Sequence, residues 1–299
     1  MKSVLRRVGY VVGGLLVIVV LGVGVVWAIV GSRMGRTYPT DVTAVSVPTD
    51  SAAIARGRHL ATAVGKCADC HGENLAGAVV MDAPVFVNLT SSNLTSGKGG
   101  IASSYTDVDW TRAIRHGIGR NGKPLIFMPS EAYTHFSDAD LGALIAYLKT
   151  LPPADLSVEP ARSIGPAGRF AYLFGGFPLI PAELIDESRQ RSNAVTPGVT
   201  VEYGRYLSEA GGCTGCHAPS LGGGMKIGNA ISANLTRGGH MASWSEADFF
   251  RAIRNGTRPD GTKISEEMPW KAMGALSDDE LRATWMYIQS MPPVTTQPK

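Results

Sequence analysis

The chain of 299 residues is 44% apolar and 18% charged, a globular balance that leaves room for two ordinary domains beyond a terminal segment. Its net charge of +3 sits in the first 30 residues, which hold Lys2, Arg6 and Arg7 and no acid, so residues 31–299 balance at 25 basic against 25 acidic side chains. No basic field remains to draw nucleic acid, and that class of partner is excluded.

Val8 to Val30 runs 23 residues without a charge, and at about 1.5 Å per residue this reaches across a bilayer core of about 30 Å. Basic residues precede the run, and Tyr10 and Trp27 lie near its ends, where aromatic rings favour the membrane interface. Residues 1–36 therefore read as a cytoplasmic N-terminus and a single-pass anchor. A cleavable signal peptide has an apolar core of about 7–15 residues and a small-x-small end, whereas this run is longer and continues through Trp27-Ala28-Ile29-Val30. Residues 37–53, with Pro, Ser and Thr and little periodicity, read as a spacer.

Next comes Cys67-Ala68-Asp69-Cys70-His71, which recurs as Cys213-Thr214-Gly215-Cys216-His217. C-x-x-C-H is the attachment signature of c-type haem: two thiols form thioethers to neighbouring vinyl groups, and the adjacent His lies over the iron. A zinc site would need its ligands to close one tetrahedron, and a thioredoxin-like pair needs no His after the second Cys. The chain has 4 Cys in all, so none is left for a disulfide, a catalytic thiolate or a thiolate ligand. Two covalently bound haem c groups are expected, on Cys67, Cys70, Cys213 and Cys216, with His71 and His217 as iron ligands.

From Ile54 onward the chain overlays its own second half. Gly57-Arg58-His59-Leu60 matches Gly204-Arg205-Tyr206-Leu207, and Asn93-Leu94-Thr95 matches Asn234-Leu235-Thr236. Arg112-Ala113-Ile114-Arg115 matches Arg251-Ala252-Ile253-Arg254, and Met128-Pro129 matches Met268-Pro269. Each copy closes on a double proline, Pro152-Pro153 and Pro292-Pro293. This is a duplicated domain, residues 54–153 and 199–293, with an apolar interdomain segment at 154–198 and a tail at 294–299. That segment, rich in Phe, Leu and Ile from Phe170 to Ile180, is too apolar for a solvated linker, and is expected to pack on its own domains.

Helix signals recur in step. Thr106 and Ser245 are N-caps for helices that stop at Gly117 and Gly256, and Ser137 and Ser277 cap the last helices. Gly57 and Gly204, lacking a Cβ, would let the first helix of each copy cross the last at short range. No long alternating strand pattern appears, so the class is all-α: an N-terminal transmembrane helix and two tandem domains.

A c-type haem has a second axial position, open to Met or His. Met128 and Met268 are the candidates, since the copies align without a gap from each Met to the cap of its last helix. With them the iron ligands are His71, Met128, His217 and Met268. His59, His116 and His135 face Tyr206, Asn255 and Ala275 in the overlay, so none has a counterpart. Pro84 is expected to supply the carbonyl that orients His71 through Nδ1, with backbone near Met225 to Gly228 serving His217. Arg115 and Arg254 read equally as propionate partners or surface arginines. Asn93 and Asn234 begin Asn-x-Thr patterns, and their equivalent positions favour a structural role over glycosylation.

These motifs resemble the class I cytochrome c family, and more closely the multihaem cytochrome c subunits of bacterial membrane-bound dehydrogenases for alcohols and sugar acids. The likeness covers about residues 54–153 and 199–293. It implies a non-catalytic electron carrier on the bacterial inner membrane with its haem domains facing the periplasm. A dehydrogenase or quinol-oxidising complex would be the donor, and an oxidase or another cytochrome the acceptor. Those subunits typically carry three haem motifs, and this chain has two and an N-terminal anchor. The alternative is a dihaem enzyme such as a peroxidase, which needs one open iron; two Met-Pro loops argue against it.

Overall fold

A computed structural model describes residues 2–188 and 195–296. Residues 189–194 of the interdomain segment and 297–299 of the tail lie outside the described residues. Helix α1 (Lys2–Gly35) is long and apolar enough to cross a membrane. After it the chain builds the same helical frame twice. The first copy comprises α2 (Ser51–His59), α3 (Cys67–His71), α4 (Asp107–His116), α5 (Ser130–Tyr133) and α6 (Asp138–Lys149). Two short strands, β1 (Val79–Ala83) and β2 (Val87–Thr90), lie between α3 and α4. The interdomain segment contributes β3 (Arg162–Ile164) and α7 (Pro166–Phe174). The second copy comprises α8 (Val201–Ala210), α9 (Cys213–His217), β4 (Lys226–Ile227), β5 (Ala230–Ile231), α10 (Glu246–Asn255), α11 (Trp270–Met273) and α12 (Asp278–Ser290).

The helix signals act where they were read. Thr106 and Ser245 each form a capping box with the Asp three residues on, and α4 and α10 end at Gly117 and Gly256 with φ of 63° and 60°. Only a residue without a Cβ enters that left-handed region at little cost. In each copy the first helix crosses the last at backbone contact. A Cβ built on Gly57 would lie 1.9 Å from the Ala143 carbonyl oxygen, and one on Gly204 would lie 1.9 Å from that of Ala283.

The short strands were not read from the sequence. β1, β2 and β3 pair antiparallel in that order, and β4 pairs with β5 as a separate hairpin. β3 comes from the interdomain segment, which folds onto the first copy: Leu179 and Ile180 join Val87, Leu89 and Ile164 in a satellite apolar cluster. Residues 37–53 are no loose spacer either. Val45 is buried in the main core, and Ser46 backbone lies so close to α6 that a Cβ on Gly142 would fall 2.1 Å from its carbonyl oxygen.

One apolar core runs through both copies, and a polar cluster tops it with near two-fold symmetry. Arg56 binds Asp140 within the first copy (Nε to Oδ1 and Nη2 to Oδ2, both 2.9 Å), and Tyr203 donates to Glu280 within the second (3.2 Å). Across the boundary, His59 Nε2 meets Glu280 Oε2 at 2.7 Å, and Tyr206 donates to Asp140 at 2.6 Å. His59 and Tyr206 overlay in the repeat, as do Asp140 and Glu280, so each copy offers the same position to the partner's last helix. Such self-matching contacts are what a two-fold interface requires.

Candidate haem sites

Each C-x-x-C-H motif is one short helix, entered through a left-handed residue: Lys66 (φ 51°) before α3 and Gly212 (φ 75°) before α9. All four thiols are unpaired and half-buried. Burial pushes the Cys67 thiol up to about 12 and raises the other three, so no reactive thiolate is being stabilised at these positions.

Both histidines are held alike. His71 Nδ1 lies 2.8 Å from the Ser92 carbonyl oxygen, and His217 Nδ1 lies 2.7 Å from that of Ala233. A carbonyl only accepts, so Nδ1 carries the proton and Nε2 keeps its lone pair for a metal. Burial also lowers the pKa of both imidazoles, against the carbonyl bond, which favours the neutral, ligating form.

The carbonyl donors expected at Pro84 and near Met225 to Gly228 are thus displaced. Pro84 sits in the β1–β2 turn, where its oxygen faces Gly165 of the interdomain segment, and residues 226–231 form the second hairpin. Ser92 and Ala233 each stand directly before Asn-Leu-Thr, and that shared position was the available signal. The Asn that follows explains why the carbonyl stays put. Asn93 Nδ2 donates to Ala154 O and Asn234 Nδ2 to Val294 O, each at 2.7 Å, while their Oδ1 atoms accept from the Thr95 and Thr236 amides at 2.8 and 2.9 Å. Both side chains are buried. They clamp the segment beside His to the chain just past each double proline, which leaves no amide for a glycan.

Met128 and Met268 head two turns of one geometry. Pro129 has φ −78° and ψ 53°, Pro269 φ −78° and ψ 49°, and the Met carbonyl accepts from the second residue on at 2.8 and 2.7 Å. Both Met side chains, with Cys67 and Cys213, pack partly buried against the core. The first turn has an added brace, for Phe127 is left-handed (φ 62°), donates its amide to Leu179 O at 3.0 Å and stacks on Phe177 at 5.6 Å.

Arg115 and Arg254 make bonds within the protein. Arg115 is 1% exposed, donates to Phe136 O at 2.9 Å and pairs with Asp138 at 2.7 Å. Arg254 donates to Gly274 O and pairs with Asp278 at 2.8 Å. Each fastens the start of the last helix.

Lys66 was not singled out in the sequence, yet it ties the two attachment motifs together. Its Nζ donates to Val64 O at 2.9 Å and, across the domain boundary, to Gly211 O at 2.5 Å. The residues of both sites therefore fit a covalent haem: paired free sulfurs on one turn, an imidazole with its tautomer fixed, and a thioether on a rigid loop.

Comparison with known proteins agrees with this reading. Residues 54–152 match the cytochrome c family and residues 200–288 the family of cbb3-type cytochrome c oxidase subunit III. The chain is 29% identical to the fructose dehydrogenase cytochrome subunit of Gluconobacter japonicus over 86% of its own length and 56% of that protein's. It is 27% identical to the gluconate 2-dehydrogenase cytochrome c subunit of Pantoea cypripedii, over 81% of this chain and 60% of the relative. A dihaem c-type cytochrome of Cereibacter sphaeroides is 26% identical over 64% of this chain and 67% of its own. The chain thus spans somewhat over half the length of the dehydrogenase cytochromes it matches. The matched stretches, each holding one C-x-x-C-H helix, are two tandem cytochrome c domains, each with the thiols for one covalent haem c.

Proposed function

We propose that this chain is a membrane-anchored carrier of single electrons, with α1 in the inner membrane and both domains on the periplasmic side. Its donor is a membrane-bound dehydrogenase or quinol-oxidising complex, by likeness to cytochrome subunits named for fructose, alcohol and gluconate dehydrogenases. Its acceptor is an oxidase or another cytochrome. The domains run over 54–153 and 199–293. His71 with Met128, and His217 with Met268, are the axial pairs.

The observation that carries this reading is the equivalence of the two sites. A peroxidase needs one iron with an open or displaceable position, and one site would then differ from the other in its His or Met element. Here Ser92 and Ala233 fix the two imidazoles alike, and the two Met-Pro turns share one geometry. When bound, haem c supplies a one-electron couple. The chain's part is to hold two axial donors still, so that little rearrangement accompanies the change of charge, and to keep water from the metal. A thioether favours ferrous iron more than a second imidazole does and so raises the potential.

Met128→Ala and Met268→Ala test the assignment. Each should keep two haem additions in the denatured mass, lower the potential of one haem, open it to carbon monoxide and remove about half of the Met-to-iron charge-transfer band. Rapid carbon monoxide binding by the unaltered protein at either haem would end the carrier reading.

A further inference from the structure

We propose that α7 is a second membrane-contacting element, lying in the outer lipid interface against the anchor with Phe170 and Phe174 turned to lipid. The inference rests on the reading of α1 as a bilayer span. Within the uncharged run, residues up to Leu21 are exposed, but Val26 and Val30, on either side of the Trp27 that Arg169 of α7 covers, are 5% and 0% exposed, and α1 packs on α7. Whatever covers Val26 and Val30 must sit at the depth of those residues. A 23-residue run is about 34 Å long and only just exceeds the hydrocarbon core, so that depth is the outer edge of the bilayer.

The contacts bracket this level. Arg169 lies over the Trp27 ring at 4.4 Å and donates to Trp27 O at 3.3 Å and Ile164 O at 3.0 Å. Three residues on, the Tyr172 ring lies 5.6 Å from the Arg33 guanidinium, beyond the end of the run, and the Tyr172 hydroxyl meets Glu183. So α7 reaches from the last turns of the span to the first charges outside it. It holds no acid, its one cation is stacked and hydrogen-bonded, and its remaining side chains are Pro, Ala, Gly, Phe, Tyr and Leu. Phe170 and Phe174 stack on each other at 5.9 Å and stay 40% and 75% exposed. An amphipathic helix with one basic residue and two aromatic side chains on its free face is the composition that settles in the headgroup region.

The consequence is orientation. β3, directly before α7, pairs with β2, which ends two residues before the Ser92 carbonyl that holds His71. A helix seated in the bilayer surface would thereby hold the first domain directly, and the second only through it, at a fixed height above the membrane.

The test uses the full-length holoprotein in nanodiscs of phosphatidylcholine and phosphatidylglycerol. With the native thiols consumed as thioethers, Phe174→Cys, Ile231→Cys and Ile18→Cys each supply one free thiol for a charged, water-soluble maleimide, read by intact mass. Ile231 is 68% exposed on the second domain, and Ile18 lies mid-run. Position 174 should react about tenfold or more slowly than position 231, and position 18 should not react. Equal rates at 174 and 231 with position 18 protected would overturn this inference alone. Labelling at position 18 would overturn the anchor reading with it. Protection of position 174 in native membranes but not in nanodiscs would assign the face to a protein partner and likewise refute lipid contact.

Discussion

Between its haem motif and its Asn-Leu-Thr segment the first domain carries Gly72 to Ser92, and the second the shorter stretch Ala218 to Ala233. In the second domain that stretch forms a two-residue hairpin turning at Gly228. In the first it forms β1 and β2, which take up β3 and with it the interdomain segment. The short attachment helix, the carbonyl on His Nδ1, the Asn clamp and the backbone of the Met-Pro turn recur in both copies. The differences gather on the side of the first copy that meets α1. A duplicated chain thus separates the elements around each C-x-x-C-H motif, which recur, from those that tie the first copy to α1, which do not.

The largest effect should come from a feature the copies share. Gly57→Ala and Gly204→Ala each drive a methyl into a carbonyl of the facing helix, and since backbone on both sides must move, each should cost about 3 kcal/mol or more. Denaturant unfolding of the two holoprotein variants would check this. Similar losses support one frame used twice, whereas tolerance at position 204 alone would mean that the second domain is the looser one.

How much of this was legible follows from range. Caps and helix ends were readable because Thr106, Ser245, Gly117 and Gly256 act within four residues of themselves. The glycine crossings were readable because the repeat showed the same small residue twice before each motif. The His carbonyls were misplaced because the sequence shows which residues lie nearby but not which one a loop folds back to; Pro84 was the better-looking residue, and the position before Asn-Leu-Thr was the recurring one. Strands of two to five residues leave too short an alternation to see. The interface was out of reach, since His59 and Glu280 are 221 residues apart and the clue that His59 overlays Tyr206 looked like a mismatch.

That interface gives a second, smaller effect. Burial by itself would raise the Glu280 carboxyl, but the bond from His59, the Ser277 amide and the charge of Arg56 hold it at about 2, below its ordinary 4.5. Glu209 is likewise held at about 2 against burial by His135, 3.1 Å away across the boundary, and by Arg205. A depressed carboxyl contributes in full above its unfolded value and loses that contribution as pH falls through the folded one. Contact between the domains should therefore weaken between pH 4.5 and 2, which small-angle scattering would register as a growing radius of gyration. Glu280→Gln should lose about 2 kcal/mol at neutral pH, less than removal of a wholly buried ion-pair partner, and should flatten that acid transition. An unchanged transition in this variant would shift the coupling to His135 and Glu209.

The smallest effect isolates a departure at the entry to the haem motifs. Lys66 and Gly212 occupy the same left-handed position before their motifs. Glycine fits there without strain, and a lysine does not. What Lys66 adds is a cation bonded to Val64 O and, across the boundary, to Gly211 O, next to both attachment helices. A positive charge beside an iron favours the ferrous state, since reduction removes a positive charge from the metal. Lys66→Gln keeps an amide donor for the carbonyls and drops the charge. It should lower both haem potentials by the equivalent of about 1 kcal/mol for a partly buried site, leave both haems attached and hardly alter unfolding. Redox titration would resolve the two shifts. A fall at both haems makes Lys66 an electrostatic link between domains that the repeat alone would leave independent, and a fall at one confines it to the first. No shift, with a loss of stability, would reduce it to a hydrogen-bonded strut.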